Sequence, residues 1–138
     1  MIIDAKGKVM GRLASKVSEK LLKGESIQII NAEKVLITGQ RKAIVKRYKA
    51  KRDASVKSNP RYGPKYPRKP DALMKKAVIG MLPRNTKRGR DAIKRLKVHI
   101  GKPEEVKGEP VSIKEAEIKT NKKKIFLEKI SKALGAKW

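Results

Sequence analysis

The sequence of 138 residues contains 38 Lys and Arg against 13 Asp and Glu, which gives a formal net charge of +25 at pH 7. Self-repulsion at this charge opposes a compact fold, so we expect an anionic partner: a nucleic acid, an anionic membrane or an acidic protein. No apolar run approaches the roughly 18 residues that span a bilayer. The first residues are typical of a strand rather than a signal peptide, so we expect neither secretion nor membrane insertion.

Cysteine is absent and His99 is the only histidine. These counts exclude disulfides, thiolate metal sites, cysteine nucleophiles and multi-histidine metal sites. His99 lies between Val98 and Ile100, with no partner from which a catalytic triad could be built. We expect it to be structural or to face a nucleic acid, and we expect no catalytic residue, metal, cofactor or small-molecule substrate. The missing cysteines fit a reducing, cytoplasmic setting.

The first 40 residues predict a strand, a helix and two more strands. Residues 1–5 and 27–30 are short apolar strands, and they flank a helix from about residue 10 to 23. Two short strands joined by such a helix predict a parallel βαβ unit with a right-handed crossover. Residues 35–37 predict a third strand. The helix has apolar residues at every fourth position: Leu13, Val17 and Leu21.

The remaining residues predict four helices, one strand and one loop. Residues 58–70 contain four prolines, so neither a helix nor a central strand can run through them, and they form a loop. Met74 and Met81 belong to an apolar helix face and are expected in the core. The predicted helices cover residues 40–52, 71–82, 86–96 and 121–134, and the fourth strand covers residues 98–100.

The positive charge is concentrated in the middle of the chain. Residues 1–40 carry a net charge of +3, residues 41–97 carry +18 and residues 98–138 carry +4. A chain of this length fits one domain. We therefore predict a single domain, 1–138, in which 1–40 begins the core, 41–97 binds the polyanion and 98–138 supplies the last strand and a C-terminal helical extension.

Two glycines after the first strand imitate a dinucleotide-binding motif. Gly7 and Gly11 stand between the strand and the helix, with Glu33 at the end of the second strand. Their spacing is G-x-x-x-G, whereas the fingerprint requires G-x-G-x-x-G, and no phosphate-binding G-x-x-x-x-G-K-[ST] loop exists in the sequence. The spacing therefore argues against the alternative of a small nucleotide-binding enzyme, and we expect the glycines to make the strand-to-helix turn.

The basic region combines cations with tyrosines in the Pro-rich loop. Its Lys and Arg side chains can neutralise phosphates and release counterions, which gives a salt-sensitive affinity. Tyr62 and Tyr66 lie among prolines and cations. Each tyrosine either stacks on an unpaired base or anchors the loop to the protein's own core.

Several motifs together resemble the large-subunit ribosomal protein thirteen family. They are Gly11-Arg12-Leu13-Ala14-Ser15, Leu22-Lys23-Gly24, Ile30-Asn31-Ala32-Glu33, Thr38-Gly39, Ala77-Val78-Ile79-Gly80-Met81-Leu82-Pro83, Arg88-Gly89 and Leu96-Lys97-Val98. They occur in the family's order from about residue 2 to 103, and the loop with Gly63-Pro64 resembles the archaeal and eukaryotic branch, most closely the archaeal one. The C-terminal third matches less firmly.

The resemblance implies a three-layer α/β/α fold around a central four-stranded, mostly parallel sheet, with a basic extended loop and a C-terminal helix. It also implies a structural, non-enzymatic constituent of the cytoplasmic ribosome that binds large-subunit ribosomal RNA, supports subunit assembly and contacts neighbouring ribosomal proteins. With the charge pattern, it places RNA-binding side chains at Arg41, Lys42, Lys46, Arg47, Lys49, Lys51, Arg52, Lys57, Arg61, Tyr62, Lys65, Tyr66, Arg68, Lys69, Arg84, Lys87, Arg88, Arg90 and Lys94.

A basic DNA- or chromatin-binding protein is the main alternative, since it would carry a similar charge. The sequence predicts no helix-turn-helix pair with a recognition helix and contains no zinc-ligand motif. Ribosomal RNA is therefore the favoured partner.

Overall fold

The computed structural model describes residues 1–103, 106, 108–117 and 123–138. Within them the chain is a mixed α/β protein with five α-helices and five short strands. The strands are β1 Ile2–Asp4, β2 Ile27–Ile30, β3 Leu36–Thr38, β4 Leu96–Val98 and β5 Lys124–Phe126. The helices are α1 Met10–Leu22, α2 Arg41–Asp53, α3 Pro70–Gly80, α4 Lys87–Lys94 and α5 Leu127–Ala133.

The predicted parallel βαβ unit is confirmed. Strand β1 pairs in parallel with β2, with Ile3 opposite Ile29. Strand β4 pairs in parallel with the other edge of β2, which gives a three-stranded sheet in the order β1-β2-β4. Parallel neighbours need a long connection between them. Helix α1 supplies the first one, and the segment holding α2, α3 and α4 precedes β4.

The structure shows no single four-stranded sheet among the described residues. Strand β3 instead pairs antiparallel with β5 in a separate two-stranded sheet, where Ile37 lies opposite Ile125. The connection from β2 to β3 is a left-handed Asn31 followed by a 3₁₀ turn, Ala32–Lys34. That connection is too short for the crossover that a parallel neighbour requires. The layered α/β/α arrangement stays a prediction.

Two C-terminal predictions were wrong in their bounds. Of the predicted helix 121–134, residues 121 and 122 lie outside the described residues, Lys124–Phe126 is strand β5, and only Leu127–Ala133 is helical. Ile125 is buried between two exposed neighbours, which is the alternation of a strand pairing at a surface. The fourth strand is Leu96–Val98 rather than 98–100. His99 still extends the ladder, because its backbone N–H donates to the Ile29 carbonyl at 2.8 Å.

The core lies between α1, α3, α5 and the sheets. Leu13, Val17 and Leu21 are fully buried, as their spacing predicted. Met74 is also fully buried, whereas the prediction for Met81 was wrong, since its side chain is 47% exposed. Helix α3 ends at Gly80 and Met81 is its C-cap, so the helical periodicity no longer directs that side chain inward.

A compact turn joins α3 to α4. The Thr86 hydroxyl accepts a hydrogen bond from the Gly89 N–H at 3.1 Å and donates one to the Pro83 carbonyl at 2.9 Å. Thr86 is thereby the N-cap of α4. A Cβ at Gly89 would lie 1.9 Å from the Pro83 oxygen, so the turn closes only because position 89 has no side chain.

We expect Gly89→Ala to lower the free energy of unfolding by about 1–3 kcal/mol or more, because the added methyl group meets backbone atoms that cannot move aside. Urea denaturation measures the loss. Gly11→Ala in α1 is the matched control, since a Cβ there meets nothing within 4 Å. The control should leave stability unchanged or raise it by up to about 1 kcal/mol. Equal stabilities for the two variants would contradict the close approach.

Candidate nucleic-acid interface

Helix α2 presents most of its cations to solvent. Only Ile44 and Tyr48 of this helix are buried, and these two residues hold it against the core. Like charges at such spacing destabilise an isolated helix, so we attribute the stability of α2 to this packing. The exposed cations are Arg41, Lys42, Lys46, Arg47, Lys49 and Lys51.

Arg52 differs from the other predicted cations because it is partly buried and bonded within the protein. Its Nη1 donates a hydrogen bond to the Leu134 carbonyl at 2.7 Å, and its Nε donates to Asp53 at 3.0 Å. The Leu134 carbonyl lies at the C-cap of α5. Arg52 therefore joins the end of α2 to the end of α5, and its guanidinium is largely committed to that contact.

The Pro-rich loop carries its first tyrosine at an exposed position. Tyr62 is 81% exposed and ends a 3₁₀ turn, Pro60–Tyr62. The Asn59 side chain caps this turn by accepting the Arg61 N–H at 3.0 Å. Both faces of the Tyr62 ring are thus available to a partner. The predicted cations of the loop are likewise exposed: Lys57, Arg61, Lys65, Arg68 and Lys69.

The second tyrosine anchors the loop. Tyr66 is half-buried and packs edge-to-face against Tyr48, with ring centroids 5.9 Å apart and an interplanar angle of 77°. The Nζ of Lys76 lies 4.1 Å from the centroid of the Tyr66 ring, and that of Lys51 lies 5.8 Å from it. Burial raises the pKa of the Tyr66 phenol. Of the two roles considered for the tyrosines, the geometry of Tyr66 favours anchoring and that of Tyr62 favours stacking.

The loop is tied down once more before α3 begins. The buried Ser131 hydroxyl on α5 donates a hydrogen bond to the Arg68 carbonyl. Pro70 follows as the first residue of α3, where a missing N–H costs nothing. Sequence reasoning missed Ser131, because a serine in an amphipathic helix gives no signal of a distant backbone partner.

A second set of exposed cations surrounds the turn before α4. Helix α4 packs against α1 and β4, which places this set on a different part of the scaffold from α2. The set comprises Arg84, Lys87, Arg88, Arg90 and Lys94.

Two arginines of this segment also bond to the end of α1. Nη2 of Arg88 donates to the Leu22 carbonyl at 3.2 Å, and Nη2 of Arg95 donates to the Leu21 carbonyl at 3.0 Å. Both carbonyls lie in the last turn of α1, where cations are favoured by the helix dipole. Arg95 was not among the predicted residues, and its role here is to hold α4 on α1.

Neither a cluster of metal ligands nor a membrane-spanning helix is found among the described residues. In the ranges given above, no three His, Asp or Glu side chains cluster as metal ligands would. Nor does any helix there have the length and apolarity to cross a membrane. The chemistry of this surface is that of exposed cations and one exposed aromatic ring.

We expect Tyr66→Ala to lower the free energy of unfolding by about 1–3 kcal/mol, because it removes the aromatic pair with Tyr48 and the cation contacts. Tyr62→Ala is the control, and it should change stability by no more than about 0.5 kcal/mol, since Tyr62 is exposed. Thermal and urea denaturation measure both variants. A larger loss for Tyr62→Ala than for Tyr66→Ala would contradict the assigned roles.

Comparison with known proteins finds a matching family and several similar sequences. A sequence model of the family described as Ribosomal protein L13 matches residues 1–105. The chain is 49% identical over 139 residues to large ribosomal subunit protein uL13 of Methanosphaera stadtmanae, with 99% of this chain and 98% of the relative covered. It is 43% identical over 138 residues to uL13 of Methanocaldococcus jannaschii, with the same coverage of 99% and 98%. The match to uL13 of Methanosarcina barkeri is 41% over 141 residues and covers 99% of both chains.

Proposed function

Because the chain belongs to the ribosomal protein L13 family, we propose that it is an archaeal structural constituent of the large ribosomal subunit and binds ribosomal RNA through residues 41–97. It is a structural protein and not an enzyme, and its place is in the ribosome. The observation that supports the RNA-binding surface is the exposure of the cations in this region. Among the described residues, Arg52 is the only one of them that forms an ion pair with a carboxylate.

The RNA contacts of this surface are mainly to phosphates and sugars. Exposed Lys and Arg on α2, on the loop and around α4 can each approach a phosphate oxygen, and such contacts position a protein without reading sequence. Tyr62 adds a different contact, because an exposed ring in a proline-stiffened loop can stack on an unpaired base. Proline stiffening lowers the entropy that the loop loses on binding.

In this proposal the three parts of the domain have different roles. Residues 1–40 supply β1, α1, β2 and β3 and begin the core, residues 41–97 bind RNA, and residues 98–138 complete the fold. Contacts with neighbouring ribosomal proteins also belong to the proposal. Subunit assembly is supported because one small protein fixes several RNA segments at once.

Binding to chromatin-type DNA is the rival that needs testing. The protein should bind large-subunit ribosomal RNA more tightly than duplex DNA of equal length at every salt concentration, since RNA offers unpaired bases and its own helical shape. Filter binding across a salt titration compares the two. Equal affinities throughout the titration would refute the RNA preference, and co-sedimentation with the large subunit at high salt would independently support it.

We expect the triple variant Lys42→Gln, Lys46→Gln and Lys49→Gln to reduce the slope of log K against log salt concentration by about 2 to 3, because each lost phosphate contact releases about one counterion fewer. The measurement is the affinity for large-subunit ribosomal RNA between low and moderate salt. An unchanged slope would exclude these lysines from the interface.

The control for the triple variant removes the same charge elsewhere. It replaces exposed lysines outside residues 41–97 by glutamine: Lys6, Lys23 and Lys34. Its slope should stay close to that of the unmodified protein. A drop equal to that of the α2 variant would show that net charge alone, rather than this surface, sets the affinity.

A further inference from the structure

A groove of about 700 Å³ runs between α2 and α5. Its α2 side is formed by Arg41, Lys42, Val45, Lys46, Lys49 and Ala50, and its α5 side by Lys129 and Ala133. We call it the α2–α5 groove. A smaller depression continues from it, sharing Arg41, Lys129 and Ala133 and adding Glu128 and Lys132.

The groove is lined by aliphatic side chains, which we call its floor, and by cationic side chains, which we call its rim. Val45, Ala50 and Ala133 are its apolar side chains, while Arg41 and Lys129 are two of the five cations around them. None of the five forms an ion pair with another described residue. No carboxylate lines the groove.

A cationic rim alone would suit the backbone of an RNA duplex, but the aliphatic floor would then face no apolar surface. A paired base hides its faces in the stack, whereas an unpaired base offers an apolar face beside a phosphate. We propose that the α2–α5 groove binds an unpaired nucleotide of ribosomal RNA, with the base against Val45, Ala50 and Ala133 and the flanking phosphates on the rim. This inference rests on the proposed function.

An acidic protein segment would also match the rim, but the charge around the groove favours RNA. The basic region also extends beyond the groove: Arg47 and Lys51 lie on the other flank of α2 and Lys65 lies in the loop, all of them exposed. With five cations and no carboxylate in its lining, the groove suits the closely spaced phosphates that flank a base in an RNA strand. The floor has only aliphatic side chains, so it offers no hydrogen bonds that read base identity.

The first test makes the floor polar without changing its charge. Ala50→Gln with Ala133→Gln should weaken binding to large-subunit ribosomal RNA by up to about tenfold, because the base loses its apolar contacts with the floor. The slope of log K against log salt should not change, since no cation is removed. The control is Ala43→Gln with Ala54→Gln, two exposed alanines outside the groove lining. Equal affinities for the two double variants would overturn the inference.

Failure of this inference can be distinguished from failure of the proposed function. If the unmodified protein showed no preference for ribosomal RNA over duplex DNA, the proposed function would fail. If that preference held while the groove variant bound like its control, only the inference that the groove binds an unpaired nucleotide would fail. Thermal denaturation of both double variants establishes that they fold.

The second test locates the groove's contact directly and does not depend on the stability of the double variant. The photo-crosslinking residue p-benzoylphenylalanine replaces Ala133 in the full chain, which is then assembled into large subunits and irradiated. Crosslinks to nucleotides that are unpaired by chemical probing support the inference. Crosslinks confined to paired nucleotides, or to another ribosomal protein, overturn it.

Discussion

Self-repulsion among 38 cations is the constraint on which the rest of the structure depends. The few carboxylates are used almost entirely outside residues 41–97. Among the described residues, Arg52–Asp53 is the only ion pair within that region. The other pairs stabilise the scaffold, and they include Lys8–Glu117, Lys16–Glu115, Lys23–Glu19 and Lys132–Glu128. Most ion pairs therefore lie outside residues 41–97, and that region keeps most of the net charge.

Helix ends supply the counter-charge that carboxylates do not. Arg88 and Arg95 donate to carbonyls in the last turn of α1, and Arg52 donates to the C-cap carbonyl of α5. Unsatisfied carbonyls at a helix C-terminus carry partial negative charge and need donors. These arginines thereby hold elements together through backbone carbonyls, and Arg52 alone of the three also pairs with a carboxylate, that of Asp53. A cation-rich sequence can fold in this way because its backbone offers acceptors.

The predictions from sequence succeeded where a pattern is local. The spacing of Leu13, Val17 and Leu21 fixes a helix and its buried face, and the charge distribution directs attention to α2 and the loop. The predictions failed where the structure of a segment depends on a partner that is distant in the sequence. Strand β3 has its partner 88 positions away, as the pairing of Ile37 with Ile125 shows, and Lys-Ile-Phe-Leu fits a helical and a strand period equally well.

In the candidate site too, local patterns predicted some side-chain positions, whereas others depend on distant contacts. Exposure of the α2 cations follows from the helical period, because only Ile44 and Tyr48 need to face the core. The different positions of Tyr62 and Tyr66 do not follow from their similar Pro-rich surroundings. They depend on Tyr48, which receives the ring of Tyr66. The internal contacts of Arg52 and Arg95 likewise depend on where α5 and α1 end.

Because β3 pairs with β5, the fold can be completed only after the C-terminal residues have been synthesised. The ribosome synthesises the basic region before it synthesises Lys124–Phe126 and α5, which support α2 and the loop in the finished fold. A domain whose first third pairs with its last residues closes late, and its long-range contacts form slowly. During that interval a segment of net charge +18 lacks its final support. A newly synthesised copy is thus an incompletely folded polycation first, and it takes its final shape only when its last helix has been added.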